Sequence, residues 1–160
     1  MDQQELRTAL GAFLTGVTIV TARGPDGEPV GMTANAFTSV SLDPPLILVC
    51  VGEQASSYET MANADQFAVH VLAADQDELS STFAKSAGSG VDKFDGVSWS
   101  EGDGGVPLLD EYLSCLQCRT TQRIPAGDHV VLIAEVEAID FDKNGRAPLG
   151  FLRGKYTAVA

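Results

Sequence analysis

Residues 31–50, GMTANAFTSVSLDPPLILVC, are small and hydroxylated for half their length, then turn at a double proline into an apolar run. A strand meant only for a core would carry Val, Ile or Phe where this one has Thr33, Ala34, Asn35, Ala36, Thr38, Ser39 and Ser41. Two readings fit. One is a Thr/Ser-rich edge strand facing solvent. The other is a surface low enough for a flat ligand to reach the backbone, with N–H groups and hydroxyls for ring heteroatoms and phosphate oxygens. LILVCV (46–51) is then a buried strand, and Pro44-Pro45 is expected to break any pairing before it.

Working outward, Leu6, Leu10, Phe13 and Leu14 recur at helical spacing over 4–14, with Thr15-Gly16 to end the helix. VTIVTAR (17–23) is strand-like, GPDGEP (24–29) is dense in turn residues, and 30–37 returns antiparallel as a hairpin. Downstream, 56–64 reads as a short helix capped by Ser56 or Ser57, 67–73 as a strand, and 75–84 as a helix opened by Asp75. A Gly/Ser-rich loop covers 84–96 and a second loop 102–107, with Trp99 between them. Two long strands, 112–124 and 129–139, are joined by PAGD; 142–147 is a turn, and PLGFLRGKYTAV closes the chain.

Many strands, few helices and hairpin connections predict a mainly β fold, an antiparallel barrel with a few short flanking helices. A parallel doubly wound sheet would need helices alternating with strands. No repeat or linker interrupts the chain, so one domain is expected over 1–160.

Ten Lys and Arg stand against 22 Asp and Glu, a net charge of −12. That argues against a nucleic-acid partner or an anionic membrane surface, since both need clustered cations. No apolar run approaches the roughly 18 residues of a membrane span. The N-terminus lacks the basic and apolar regions of a signal peptide, so a cytoplasmic protein is expected.

Cys115 and Cys118 form a C-x-x-C, but an odd offset on a strand puts the two side chains on opposite faces. Buried thiols, rather than a metal site or a dithiol, are expected. GDGG and GSG neither follow a strand nor open a helix, so no dinucleotide fingerprint is present. His70, in the middle of FAVHVL, reads as a structural histidine. His129 begins a strand at a hairpin corner, where it can reach over a barrel mouth or simply serve the turn. Ser56 and Ser57 could offer donors to an anion, and Lys85 could add a cation.

Taken in order, GMTANAFTSVSLDPPLILVCV, FAVHVLAADQDELSSTFA, DKFDGVSW, VPLLDEYLSCLQCR, AGDHVVLIAEV and PLGFLRGKY resemble the flavin reductase-like family. The resemblance covers about residues 5–156. It implies the Greek-key type of antiparallel split β-barrel that binds FMN, and the NAD(P)H:flavin oxidoreductase activity that serves two-component monooxygenases. It places Thr33, Ala34, Asn35 and Ala36 along the isoalloxazine ring, and Cys50, Val51, Ser56 and Ser57 at the ribityl chain and phosphate. Phe83 and Ala84 complete the phosphate side. Ser39, Ser41 and Lys85 are counted with the same cofactor-binding set.

Gly127, Asp128 and His129 match an element associated with NADH or NADPH, with His129 as the catalytic candidate, and Tyr156 lies near the ring. FMN or FAD is then the flavin, the assembly a homodimer, and the partner a flavin-dependent monooxygenase. No metal is expected. Hydride transfer needs stacked rings and placed donors rather than an acid–base pair, which agrees with the absence of one. The alternatives are a flavin-binding sensor or carrier on the same barrel without reductase activity, and a non-catalytic interaction subunit.

Overall fold

The computed structural model describes residues 1–86 and 89–159; Ala87 and Gly88, at the centre of the 84–96 loop, and Ala160 lie outside the described residues. Helix α1 (Gln3–Gly11) precedes β1 (Thr15–Gly16), β2 (Thr18–Arg23), β3 (Pro29–Ala34), β4 (Phe37–Leu42) and β5 (Pro45–Gly52). Then come α2 (Tyr58–Asn63), β6 (Gln66–Val71) and α3 (Asp77–Phe83). The second half adds β7 (Trp99–Glu101), β8 (Pro107–Leu109), β9 (Ser114–Ala126), β10 (His129–Phe141), β11 (Leu149–Leu152) and β12 (Lys155–Ala158).

Seven strands make one antiparallel sheet in the order β3-β2-β6-β9-β10-β5-β4. The β9–β10 hairpin is inserted between β5 and β6, so the chain crosses over after β5 in the Greek-key manner. The sheet curls until β3 comes back beside β5, and Ser57 Oγ, just past β5, donates to Gly31 O at 3.3 Å. No ladder joins β3 to β4, and the barrel stays split there.

β2 shows why the fold needs two layers. Val20 and Ala22 face the barrel interior with Val49, Phe67 and Leu132, while Val17 and Ile19 pack outward against Leu72, Phe83 and Leu149. Both faces are covered, so an unbroken β-branched run is what this strand requires. The Cys pair follows the same alternation. Cys118 belongs to the interior cluster and Cys115 to a separate one with Ala68 and Val106.

Several expectations need correction. Pro44-Pro45 does not break the pairing: Asp43 and Pro44 form the turn of the β4–β5 hairpin, and Pro45 opens β5 opposite Leu42. The connection between the long strands is two residues rather than four, because Pro125 and Ala126 pair with Val130 and His129. Gly127, at φ 63°, takes the first position of that loop, where a two-residue hairpin of this hand requires glycine.

The first helix ends at Gly11, and Thr15-Gly16 already pairs with Phe151 and Gly150 of β11. Asp75 does not cap α3. Its carboxylate pairs with Arg146, and Gln76 Oε1 accepts the Ala73 N–H instead. The serines before α2 make no side-chain cap either, because Ser57 Oγ is turned onto Gly31 O.

Candidate functional site

Alternation along β3 sends Val30, Met32 and Ala34 into the interior cluster, so Gly31 and Thr33 face the other way, toward α3. The Thr33 hydroxyl donates to Ser80 O at 2.6 Å, and Ser80 Oγ shares a 2.7 Å hydrogen bond with Tyr156 OH. Phe83 of α3 lies directly over Gly31. A Cβ there would sit 2.6 Å from the Phe83 ring and 3.3 Å from Phe94. The face of Gly31 and Thr33 that points away from the barrel is therefore covered by α3 and Phe94, and open surface remains beside Gly31 and beyond Ala34.

At the Gly31 end is a cavity of about 250 Å³ walled by Pro29, Gly31, Ser56, Ser57, Lys93 and Phe94. Its donors converge on one carbonyl: Gly31 O accepts from Ser57 Oγ at 3.3 Å and from Lys93 Nζ at 3.1 Å. Burial lowers the Lys93 pKa from its ordinary value. At the other end Asn35 and Ala36 leave the sheet. There a second cavity of about 400 Å³ opens between Phe13, Thr15 and Gly16 on one side and Asn35, Phe37 and Thr38 on the other. Asn35 lies four positions beyond Gly31, roughly 13 Å at the usual strand rise.

The hairpin corner forms a third element. Gly52 lies opposite His129 in the β5–β10 ladder, and the Glu53 N–H donates to Asp128 O at 3.0 Å. His129 Nδ1 is 2.6 Å from Asp128 Oδ1, and the other ring nitrogen, Nε2, would lie 3.3 Å from a Cβ at Gly52. A side chain at Gly52 would crowd the ring, so glycine gives the imidazole its seat. Hydrogen bonding to His129, then its charge, holds the Asp128 carboxyl below the usual carboxylate range.

Sequence-predicted residues thus fall into groups. Ser56 and Ser57 share the first cavity and Asn35 lines the second. Thr33 and Tyr156 meet through Ser80, while Asp128 and His129 form one pair. Ala36 and Cys50 are joined through the backbone. The side chains of Ala34, Val51 and Phe83 are buried, so a ligand could meet only their main chain. Ser39 and Ser41 sit on the edge strand β4, and Ala84 and Lys85 are exposed after α3; none of these four lines either cavity.

Sequence reasoning missed Lys93, Ser80, Gly52 and the 13–16 segment. A lysine beside an anchoring aromatic in DKF was the one available signal. His70 is structural, as expected: fully buried, with Nδ1 3.1 Å from Ile19 O and Nε2 accepting the Leu109 N–H at 3.1 Å.

Residues 10–160 match the family described as "Flavin reductase like domain". A probable flavin reductase of Rhizobium meliloti (strain 1021) is 45% identical over 97% of this chain and 48% of its own length. The reductase component of the flavin-dependent trigonelline monooxygenase of Acinetobacter baylyi is 43% identical over 98% of this chain and 49% of its own. The chain thus spans about half the length of these two relatives.

The solved structure of the Streptomyces globisporus NADH:FAD oxidoreductase SgcE6 with NAD and FAD fragments superposes with a TM-score of 0.89 at 39% identity, covering 99% of this chain and 93% of that one. With the family match over residues 10–160 and a barrel that superposes on a solved relative along almost its whole length, this chain belongs to the flavin reductase-like domain family.

Proposed function

We propose that this protein, as a single domain over 1–160, is an NAD(P)H:flavin oxidoreductase. In this reading it reduces FMN or FAD and passes the reduced flavin to a separate monooxygenase. The observation that carries the reading is the pair of cavities about 13 Å apart along β3, one with a cation and hydroxyls, the other with an amide and aromatic walls. That polarity suits a molecule with a phosphate at one end and a planar heterocycle at the other. The glycine at 31 lets Phe83 and Phe94 pack down onto the strand and form the wall of the phosphate end.

When bound together, the nicotinamide supplies a hydride and the flavin ring accepts it. The chain supplies placement. The exposed Asn35 amide, with the 35–36 backbone held by the Phe37 and Cys50 N–H groups, offers polar groups at the ring end. Ser80 and Tyr156 tie α3 and β12 to Thr33 and hold the strand still. Asp128 orients His129 so that Nε2 stays available toward the nicotinamide nucleotide. His129 is half exposed and can meet a co-substrate arriving from solvent.

A homodimer fits the surface. α1 buries none of its residues, and Leu10, Phe13, Leu42, Ile139 and Phe141 are all more than half exposed. Solvent-facing apolar groups of this size are what a second copy would cover. Among the described residues no helix is long and apolar enough to cross a membrane, and a cytoplasmic location is part of the proposal.

The deciding experiment is anaerobic. Protein mixed with FMN or FAD and then NADH should bleach the flavin absorbance catalytically, and stopped-flow traces with no bleaching would leave only the carrier reading. In the same assay His129→Ala is expected to raise the KM for NADH about tenfold or more while flavin affinity changes less than twofold. Unchanged NADH kinetics would remove His129 from the site.

A further inference from the structure

Resting on the flavin reading above, the geometry points to Arg23 as a positioning residue that governs how long flavin stays bound. Arg23 does not line the cavity at Gly31 and would not touch the ligand. Its guanidinium instead ties together the two walls that enclose that cavity.

One wall is the start of β3. Arg23 pairs with Pro29 across the β2–β3 ladder, and Pro29, Val30 and Gly31 face the cavity. Arg23 Nη1 also donates to Gly27 O at 2.6 Å, fixing the turn that leads into Pro29. The other wall is the segment from Val91 to Phe94. Phe94 packs edge-on against Trp99 of β7, 6.0 Å between ring centroids, and the Arg23 guanidinium lies over the Trp99 ring at 5.1 Å.

The β7–β8 hairpin that carries Trp99 shares no ladder with the seven-stranded sheet, so side chains must dock it. Thr21 Oγ1 and His70 hold β8, through Pro107 O and the Leu109 N–H. Arg23 and Gln117 hold the tip: Arg23 Nε donates to Gly105 O at 2.6 Å, and Gln117 Oε1 accepts the Asp103 N–H at 2.9 Å. Arg23 Nη2 pairs with Glu101 at the end of β7. A guanidinium present only for charge would gather carboxylates in a chain of net charge −12. This one gives two of its three nitrogens to main-chain carbonyls and its face to an indole. Only 25% of the side chain is exposed, and a planar fork reaches all these acceptors at once, as a lysine ammonium cannot.

Without the fork, Trp99 and the Phe94 behind it lose their outer support, and that wall loosens. Flavin should then leave faster, while hydride transfer at the far end of β3 proceeds as before. Trp99 is the protein's one tryptophan, so its emission reports this contact directly.

Arg23→Met should shift the Trp99 emission and speed FMN dissociation about five- to twentyfold in stopped flow. Single-turnover flavin reduction by NADH at saturating FMN should stay within about twofold. Trp99→Leu should speed dissociation to a similar degree, and adding Arg23→Met to it should contribute less than about twofold more. Thermal melts establish that each variant is folded at the assay temperature.

Wild-type FMN dissociation in a folded Arg23→Met overturns the inference, and so does wild-type dissociation in Trp99→Leu should Arg23→Met fail to fold. Equal losses in flavin retention and in reduction rate, with Trp99 emission unchanged, would also overturn it by showing a general loosening of the barrel. A wild-type protein that binds no flavin would instead sink the flavin reading itself.

Discussion

His70→Leu should lower the unfolding free energy by about 2–4 kcal/mol at pH 7.5, and the gap from wild type should narrow as the pH falls to 4.5. The imidazole is fully enclosed and bridges two elements, with Nδ1 to Ile19 O in β2 and Nε2 accepting from Leu109 in β8. Leucine fills the volume but strands the Leu109 N–H, and an unmade buried bond costs about 1–3 kcal/mol. Nε2 accepts a proton donor and Nδ1 faces a carbonyl, so the ring is neutral with its proton on Nδ1.

Burial pushes the His70 pKa down from 6.5 to about 4. Below pH 6.5 the unfolded chain therefore binds a proton that the folded chain refuses. Wild-type stability falls through this window at up to about 1.4 kcal/mol per pH unit, levelling off near pH 4 after a loss of about 3 kcal/mol. The leucine variant lacks that titration. Guanidinium melts of both proteins at pH 7.5 and 4.5 cancel the contribution of the acidic residues they share. A gap that stays constant with pH would show that His70 is not held neutral by its enclosure.

Gly31→Val should damage stability and flavin affinity together. The new Cβ would lie within 2.6 and 2.8 Å of Phe83 ring carbons, and Phe83 has no exposed surface toward which to swing. Overpacking of this kind costs about 1–3 kcal/mol, or a melting temperature lower by very roughly 2–12 °C for a chain of this size. Displacing Phe83 and Phe94 also moves Lys93 and the carbonyl on which the cavity donors converge. FMN affinity is expected to drop more than about tenfold. Calorimetry and fluorescence titration read the two effects, and Phe83→Leu added to Gly31→Val should recover stability. A variant with wild-type melting and FMN binding would contradict this packing.

The architecture was legible where local patterns and global fold agree. VTIVTAR followed by GPDGEP could hardly be anything but the first arm of a hairpin, and it pairs from Thr18–Ala34 to Arg23–Pro29. The long strands announced themselves through β-branched alternation, and the odd spacing of Cys115 and Cys118 gave their opposite faces. The site was only partly legible, for a physical reason. The covering of Gly31 and Thr33 comes from α3, about fifty residues along the chain, and no pattern within 31–41 encodes it. Lys93 sits in a loop without periodicity, so its burial depends on Phe94 finding Phe83 and Trp99. Ser57 looked like a helix cap because its neighbours do, whereas its hydroxyl satisfies a carbonyl on another strand.

The separation of Cys115 and Cys118 onto two faces of one sheet carries a chemical consequence under the proposed release of reduced flavin. Reduced flavin reacts with oxygen to give hydrogen peroxide, so such a catalyst works inside its own oxidant. Enclosure pushes both thiols up to about 12, which leaves about one in 10⁵ as thiolate at neutral pH. Peroxide attacks the thiolate, and neither sulfur can reach across the sheet to trap a sulfenic acid as a disulfide. Burial also pushes the Cys50 thiol up, but Cys50 is less enclosed than the other two, and it is where oxidative wear should first be found.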